Sequence, residues 1–379
     1  MSRDRKTAGT RAGAGGGYAR GAVPLLALTC ALALLISGCL PSSGRRNDRS
    51  MSPADSASIA FAETVPTDTL TLGWEAAARP DDLMPLPTTI GWANPEAGAG
   101  ARLVVVETQG ASLRLFTPSG RPYRHIDTGG GAESYPYLAG VRGDTAVVLE
   151  RGTQTLAFVP LDSSGAVRRI PVPAGANAAL ATATALYVRT GGGAEGETPT
   201  LLRLDARGRV ASRHAFRGQP WRAAGFLRPW GDRVVALSGY RPVVDVLAAG
   251  AATGSRLDTL VLRGFSSPEM PRSSQFMRGD VEQPPLLTSS AAALAGRLFV
   301  VNMRDEHVRV DVYGPNGTLQ RVLVTPRPWS SLVYIPIDIA VRRVGSTVEI
   351  AVLLQRPSGV IQTADNRVVL YRWADREAR

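Results

Sequence analysis

Six side chains able to do chemistry recur at one place, the end of a β-branched run: Glu107, Glu150, Arg189, Ser238, Asn302 and Gln355. An arginine stands at or shortly after that place in five of the six units, as Arg151, Arg189, Arg241, Arg304 and Arg356. Guanidinium groups gathered on one rim hold carboxylate or phosphate oxygens through paired N–H donors. The pattern therefore predicts an anion-binding rim, with Glu107, Glu150 and Asn302 orienting the ligand. The acids offer a second chemistry: Glu107, Glu150 or Asp338 could hold a divalent ion through oxygen ligands. Other chemistry has less support. The three histidines, His125, His214 and His307, do not stand at metal-ligand spacing. No Gly-x-Ser-x-Gly elbow and no phosphate-binding Walker loop is present. The glycine-rich stretch 190–196 does not open a helix, which such a cradle needs. No cofactor is expected, and the rim reading assigns no metal.

What must position these residues is a repeat. "RLVVVETQGASLRLFTPSGRPYRHIDT" (102–128) has a β-branched run, a polar loop, an alternating run, a Gly turn and a last alternating run. The same order returns from Thr145 to Pro173, from Ala185 to Phe216 and from Gly296 to Val324. Alternation such as Val308-Arg309-Val310-Asp311-Val312 has period two, the mark of a half-buried strand. Glycines 120, 165, 208 and 317 fall at the turns, where a tight hairpin needs positive φ. The runs start at Leu103, Ala146, Leu186, Val234, Leu298 and Val348, giving spacings of 43, 40, 48, 64 and 50 residues. Units of this length with four short strands are propeller blades. The fold expected is all-β: a six-bladed β-propeller of four-stranded antiparallel blades. Apolar segments before the runs, such as 135–141 and 333–341, supply the innermost strands. The last unit lacks a fourth strand, and residues 67–74, "TDTLTLGW", alternate without a blade of their own. The N-terminal strand 67–73 is expected to pair with 366–373 and close the last blade. The 64-residue spacing comes from an insertion at 266–287, read as a long loop that could lie over the disk.

Upstream of the blades, residues 3–20 carry Arg3, Arg5, Lys6, Arg11 and Arg20 against Asp4, and 22–36 are almost wholly apolar. That is a secretory signal, too short for an ordinary spanning helix. It ends in Ile36-Ser37-Gly38-Cys39, which resembles the lipobox of bacterial lipoproteins. The resemblance implies cleavage before Cys39 and lipidation of its thiol. Leu40 follows, where an aspartate would be the inner-membrane retention signal, so it implies the outer membrane. The domains expected are a signal at 1–38, a flexible tether at 39–65 and the propeller at 66–379. Cleavage leaves 341 residues with a net charge near +7 and no free thiol, since the other cysteine, Cys30, lies inside the signal. Neither a disulfide framework nor a thiolate zinc site is then available. The basic residues are scattered among acids, and export argues against nucleic acid.

The repeat with "DTGGGAESYPYLAGV" after it resembles the six-bladed propeller lipoproteins related to NHL repeats. Gly129, Gly131, Glu133, Tyr135 and Pro136 match the glycine-rich element of that family. The layout match spans 67–373, while the family's Asp-Asn turn is mostly missing. The resemblance implies fold more than activity, because propellers host enzymes and scaffolds alike. Two functions stay open. The first is a lipid-anchored, non-catalytic binding or scaffold module of the cell envelope. Its membrane contact would run through Cys39, its partner would be an envelope protein, peptide or anionic glycan, and it would act as a monomer. The alternative is a metal-dependent hydrolase or lyase like the gluconolactonase-type and amidating propellers. These hold an ion in the central channel.

Overall fold

The computed structural model describes residues 51–77, 84, 86–162, 165–191, 198–218, 223–248, 250–304, 307–326, 334–356 and 366–375. The signal segment and Cys39 lie outside the described residues. The body opens with helix α1 (Pro53–Thr64) and two short strands, β1 (Thr67–Thr69) and β2 (Thr71–Ala77). Six sheets follow. Blade 1 holds β3 (Pro87–Ala93), β4 (Arg102–Glu107), β5 (Ser112–Phe116) and β6 (Pro122–Asp127). Blade 2 holds β7 (Pro136–Arg142), β8 (Thr145–Glu150), β9 (Thr155–Pro160) and β10 (Arg168–Pro171). Blade 3 holds β11 (Ala176–Ala181), β12 (Leu186–Thr190), β13 (Thr200–Leu204) and β14 (Val210–Ala215). Blade 4 holds β15 (Gly225–Trp230), β16 (Arg233–Ser238), β17 (Val243–Leu247) and β18 (Asp258–Val261). Blade 5 has β19 (Thr288–Leu294), β20 (Arg297–Asn302), β21 (Arg309–Tyr313) and β22 (Leu319–Val324). Blade 6 has β23 (Ile335–Val344), β24 (Thr347–Gln355) and β25 (Arg367–Ala374). Within each blade the strands are antiparallel neighbours in order. The first strand of each blade touches the first strand of the next, and β23 returns to β3, so the ring is closed.

The closing strand is β2, which pairs antiparallel with β25 from Thr71↔Arg372 to Ala77↔Arg367. The expected single strand 67–73 is in fact two. Thr67–Thr69 add to blade 5 instead, parallel to Val322–Val324. The break falls at Leu70, 1% exposed, whose side chain drops into the core shared with Phe299, Tyr371 and Trp373. Six apolar clusters are found among the described residues, and each sits at one junction between consecutive blades. The junction of blades 6 and 1 is built like the rest, from Ile90, Leu103 and Val105 against Leu353, Val368 and Leu370. Burying each such side chain contributes about 1.5–3 kcal/mol. Of the turn glycines, 120, 208 and 317 are left-handed. A Cβ at Gly120 would also stand 2.5 Å from the Trp74 ring of the closing strand. Gly165 is not left-handed; there the lack of a Cβ leaves room for the Pro160 ring, 2.5 Å from where a Cβ would stand.

Two further expectations need correction. The segment 39–65 is not tether throughout, because 53–64 form α1. Ser52 caps it, its Oγ accepting from the Asp55 amide at 3.1 Å, with Pro53 in the first turn. The insertion 266–287 is not structureless either. It carries helix α2 (Met270–Arg278), with Met270 and Ser273 buried and Gly279 closing it in left-handed conformation.

Candidate functional site

The first strands all start, and the second strands all end, on one face of the ring, since every blade has the same order. The recurring polar residues therefore share that face, as their spacing predicts. Their side chains do not form an open rim. Arg151 donates to the Asn177 carbonyl of blade 3, and its guanidinium lies 3.8 Å above the Tyr137 ring. Arg189, 5% exposed, donates from Nε to Asn177 Oδ1 at 2.8 Å and from Nη1 to the carbonyls of Ala223 and, at 3.1 Å, Gly225. Burial, with Arg151 close by, pushes the Arg189 pKa down to about 10. Arg304 donates to the carbonyl and, at 3.3 Å, to the hydroxyl of Ser266 in the connection from blade 4 to blade 5. Asn302 donates to the same carbonyl at 2.8 Å and to Asp311 Oδ2 at 2.7 Å. The buried carbonyls leaving one blade and entering the next need donors, and these side chains supply them. Arg241 is half-buried and Arg356 exposed, and no partner of either guanidinium is found among the described residues.

The acids are fastened in the same way. Glu107, 1% exposed, accepts from the amides of Leu86 at 3.1 Å, Gln109 at 2.9 Å and Gly110. Burial raises its pKa, and those three amides offset part of the rise. Glu150 accepts from Thr155 Oγ1 at 2.6 Å and from both Nε and Nη2 of Arg169 at 2.9 Å. The same Arg169 donates to the Thr128 carbonyl of the connection from blade 1. On the axis, Asp338 accepts from the Ile90 amide of blade 1 at 2.9 Å and from its neighbour Ile339 at 2.9 Å. Ser290 Oγ of blade 5 and, at 2.7 Å, Arg228 Nη2 of blade 4 also donate to it. Asp338 thus takes four donors of the protein, three on Oδ1 and the Ile90 amide on Oδ2. Among the described residues no three His, Cys, Asp or Glu side chains stand together as a metal site would need. His125 and His214 sit apart on the outer strands β6 and β14. His214 is buried, its ring nitrogens 2.9 Å from Ser212 Oγ and 3.0 Å from Ser255 Oγ.

Sequence reasoning missed Arg228 and Ser290. They stand on first strands, whose apolar runs were read only as inner strands, and their partner Asp338 is 110 and 48 positions away. No local spacing signals such a contact.

No protein-family model matches the chain, and no curated protein matches it in sequence. Solved structures similar to it include the PQQ-bound aldose sugar dehydrogenase of Streptomyces coelicolor, at 13% identity and TM-score 0.49, covering 81% of this chain and 99% of that one. A streptogramin B lyase is similar at 11% identity and TM-score 0.48, covering 77% and 86%. So is a calcium-binding regucalcin of Agrobacterium tumefaciens, at 11% and 0.47, covering 80% and 95%. The class of protein, a six-bladed β-propeller, rests on the six sheets and their closure described above.

Proposed function

We propose that this propeller is a lipid-anchored binding module of the cell envelope, which holds a protein, peptide or anionic glycan without acting on it chemically. The observation that carries this reading is the commitment of the buried acids. Glu107, Glu150 and Asp338 stand in three different blades, each held by donors of the protein itself. A catalytic ion would need them to converge with open coordination positions, so the hydrolase or lyase alternative loses its ligands. Anchoring rests on the lipobox-like Ile36-Ser37-Gly38-Cys39. Among the described residues no helix is long and apolar enough to cross a membrane. Binding falls to the face that carries the second-strand ends, where Arg241 and Arg356 remain to meet an anionic group. Arg151, Arg189 and Arg304 act there by holding the blades in place. The test is a titration of the mature protein with sulfated glycans and acidic peptides at rising salt. Screening should weaken the binding. Arg241→Ala combined with Arg356→Ala should abolish it while leaving the melting temperature unchanged. Divalent-ion-dependent turnover of lactones or esters, lost in Asp338→Asn, would favour the alternative.

A further inference from the structure

Helix α1 is bolted to the perimeter where blades 4 and 5 meet. Ser58 Oγ donates to the Phe265 carbonyl at 3.0 Å and accepts from the Gly264 amide at 3.0 Å. Ala62 is buried in the junction core, with Ile59 and Met51 packed against it. Phe61 lies over Gly264, where a Cβ would come within 2.7 Å of its ring. Asp55 Oδ2 accepts from Ser274 Oγ at 3.3 Å, which brings α2 alongside α1. On these meeting elements stand three large apolar side chains in water: Phe61 at 41% exposure, Val261 at the end of β18 at 54% and Met277 of α2 at 50%. Among the described residues the other exposed large apolar side chains, Leu72, Tyr123 and Val344, lie on three different elements elsewhere in the ring.

We infer that this perimeter, carrying Phe61, Val261 and Met277, is the surface that rests on the lipid bilayer. The inference rests on the anchoring reading above and adds to it an orientation of the body. Cys39 and the helix cap Ser52 are 13 positions apart. At full stretch that chain reaches about 45 Å, so the lipid on Cys39 holds α1 within that distance of the bilayer surface. A bound chain end alone leaves the body free to turn. Apolar side chains that enter the headgroup boundary fix which edge faces down, because each buried apolar group adds to the membrane affinity. An acyl anchor and a second, weaker apolar contact then act together, the second made nearly intramolecular by the first.

The test uses the mature, lipidated full-length chain in vesicles of phosphatidylethanolamine and phosphatidylglycerol. That chain has no free thiol of its own, so single substitutions Phe61→Cys, Met277→Cys, Tyr123→Cys and Val344→Cys each accept one environment-sensitive fluorophore. Flotation with the vesicles, lost in Cys39→Ser, is measured first. The expected result is a blue-shifted emission at positions 61 and 277, quenched by brominated lipid and shielded from iodide, with neither effect at 123 or 344. Because Phe61 packs on Gly264, its replacement could loosen α1, and the exposed Met277 position decides in that event. Protein that floats but shows equal iodide quenching at all four positions overturns the orientation and leaves the anchor standing. Protein that neither floats nor incorporates a fatty-acid analogue overturns the anchor, and the orientation with it.

Discussion

At the axis of the ring, Arg228, Ser290 and Asp338 join blades 4, 5 and 6 through charged and hydroxyl groups, and Asp338 reaches on to the Ile90 amide of blade 1. Thr89 continues the belt, its Oγ1 accepting from the Leu138 amide of blade 2 at 2.7 Å. At the perimeter the fastening is of another kind. Strand β2 closes blade 6 by backbone pairing, β1 adds to blade 5, and α1 seals the next junction with Ile59 and Ala62. The difference follows from packing. Near the axis the first strands converge, and the amides of Ile90 and Leu138 meet side-chain acceptors of the neighbouring blade. At the perimeter there is room for a whole element. Polar recurrence in a propeller can therefore report how blades are joined as readily as what the protein binds.

The perimeter can be broken most severely. Deleting residues 40–77 from the mature chain removes α1, β1 and β2, leaving the β25 edge unpaired and Leu70's place in the core empty. The apolar burial this removes is comparable in free energy to the roughly 5–15 kcal/mol of a whole domain's net stability. Cooperative unfolding should disappear from calorimetric scans, whereas deleting 40–50 alone should leave the melting temperature unchanged. Equal behaviour of the two truncations would mean that the closure is dispensable.

A smaller effect sharpens the account of the strand-end acids. Burial raises the Glu107 pKa above its ordinary 4.5. In the window above 4.5 the folded state keeps a proton that the unfolded chain has released. This relative stabilisation is full below pH 4.5 and is lost as pH rises through the raised folded value. Glu107→Gln should remove that slope from urea midpoints measured upward from pH 4.5. An identical slope in both proteins would show that Glu107 is not the titrating group.

The architecture was legible because each of its signals is local. Period-two runs, a turn glycine such as Gly120 and the spacing of the runs all lie within one blade. The closing strand was legible as an alternating segment without partners, but its division at Leu70 depends on a core formed with Phe299 and Tyr371, far along the chain. Helix α1 was hidden for a different reason. Ser52-Pro53 with Asp55 is a helix start, but a face as narrow as Ile59 and Ala62 shows no apolar period. The arginines show the limit most clearly. Their recurrence was visible and their common face followed from it. An open rim and a set of clasps put arginine at the same strand ends, though, and only the carbonyls of Asn177, Ala223 and Ser266 tell them apart.

The charged groups at the axis hold the blades together. A double-mutant cycle on Arg228→Met and Asp338→Ala, read from urea unfolding, tests it most directly. Asp338→Ala leaves a largely buried guanidinium without its counter-ion and should cost about 3–5 kcal/mol. The double variant should cost clearly less than the sum of the two singles, because touching residues couple by about 0.5–3 kcal/mol. Additive costs, or an Asp338→Ala protein as stable as the parent, would contradict the account and return Asp338 to the pool of residues free to bind a ligand.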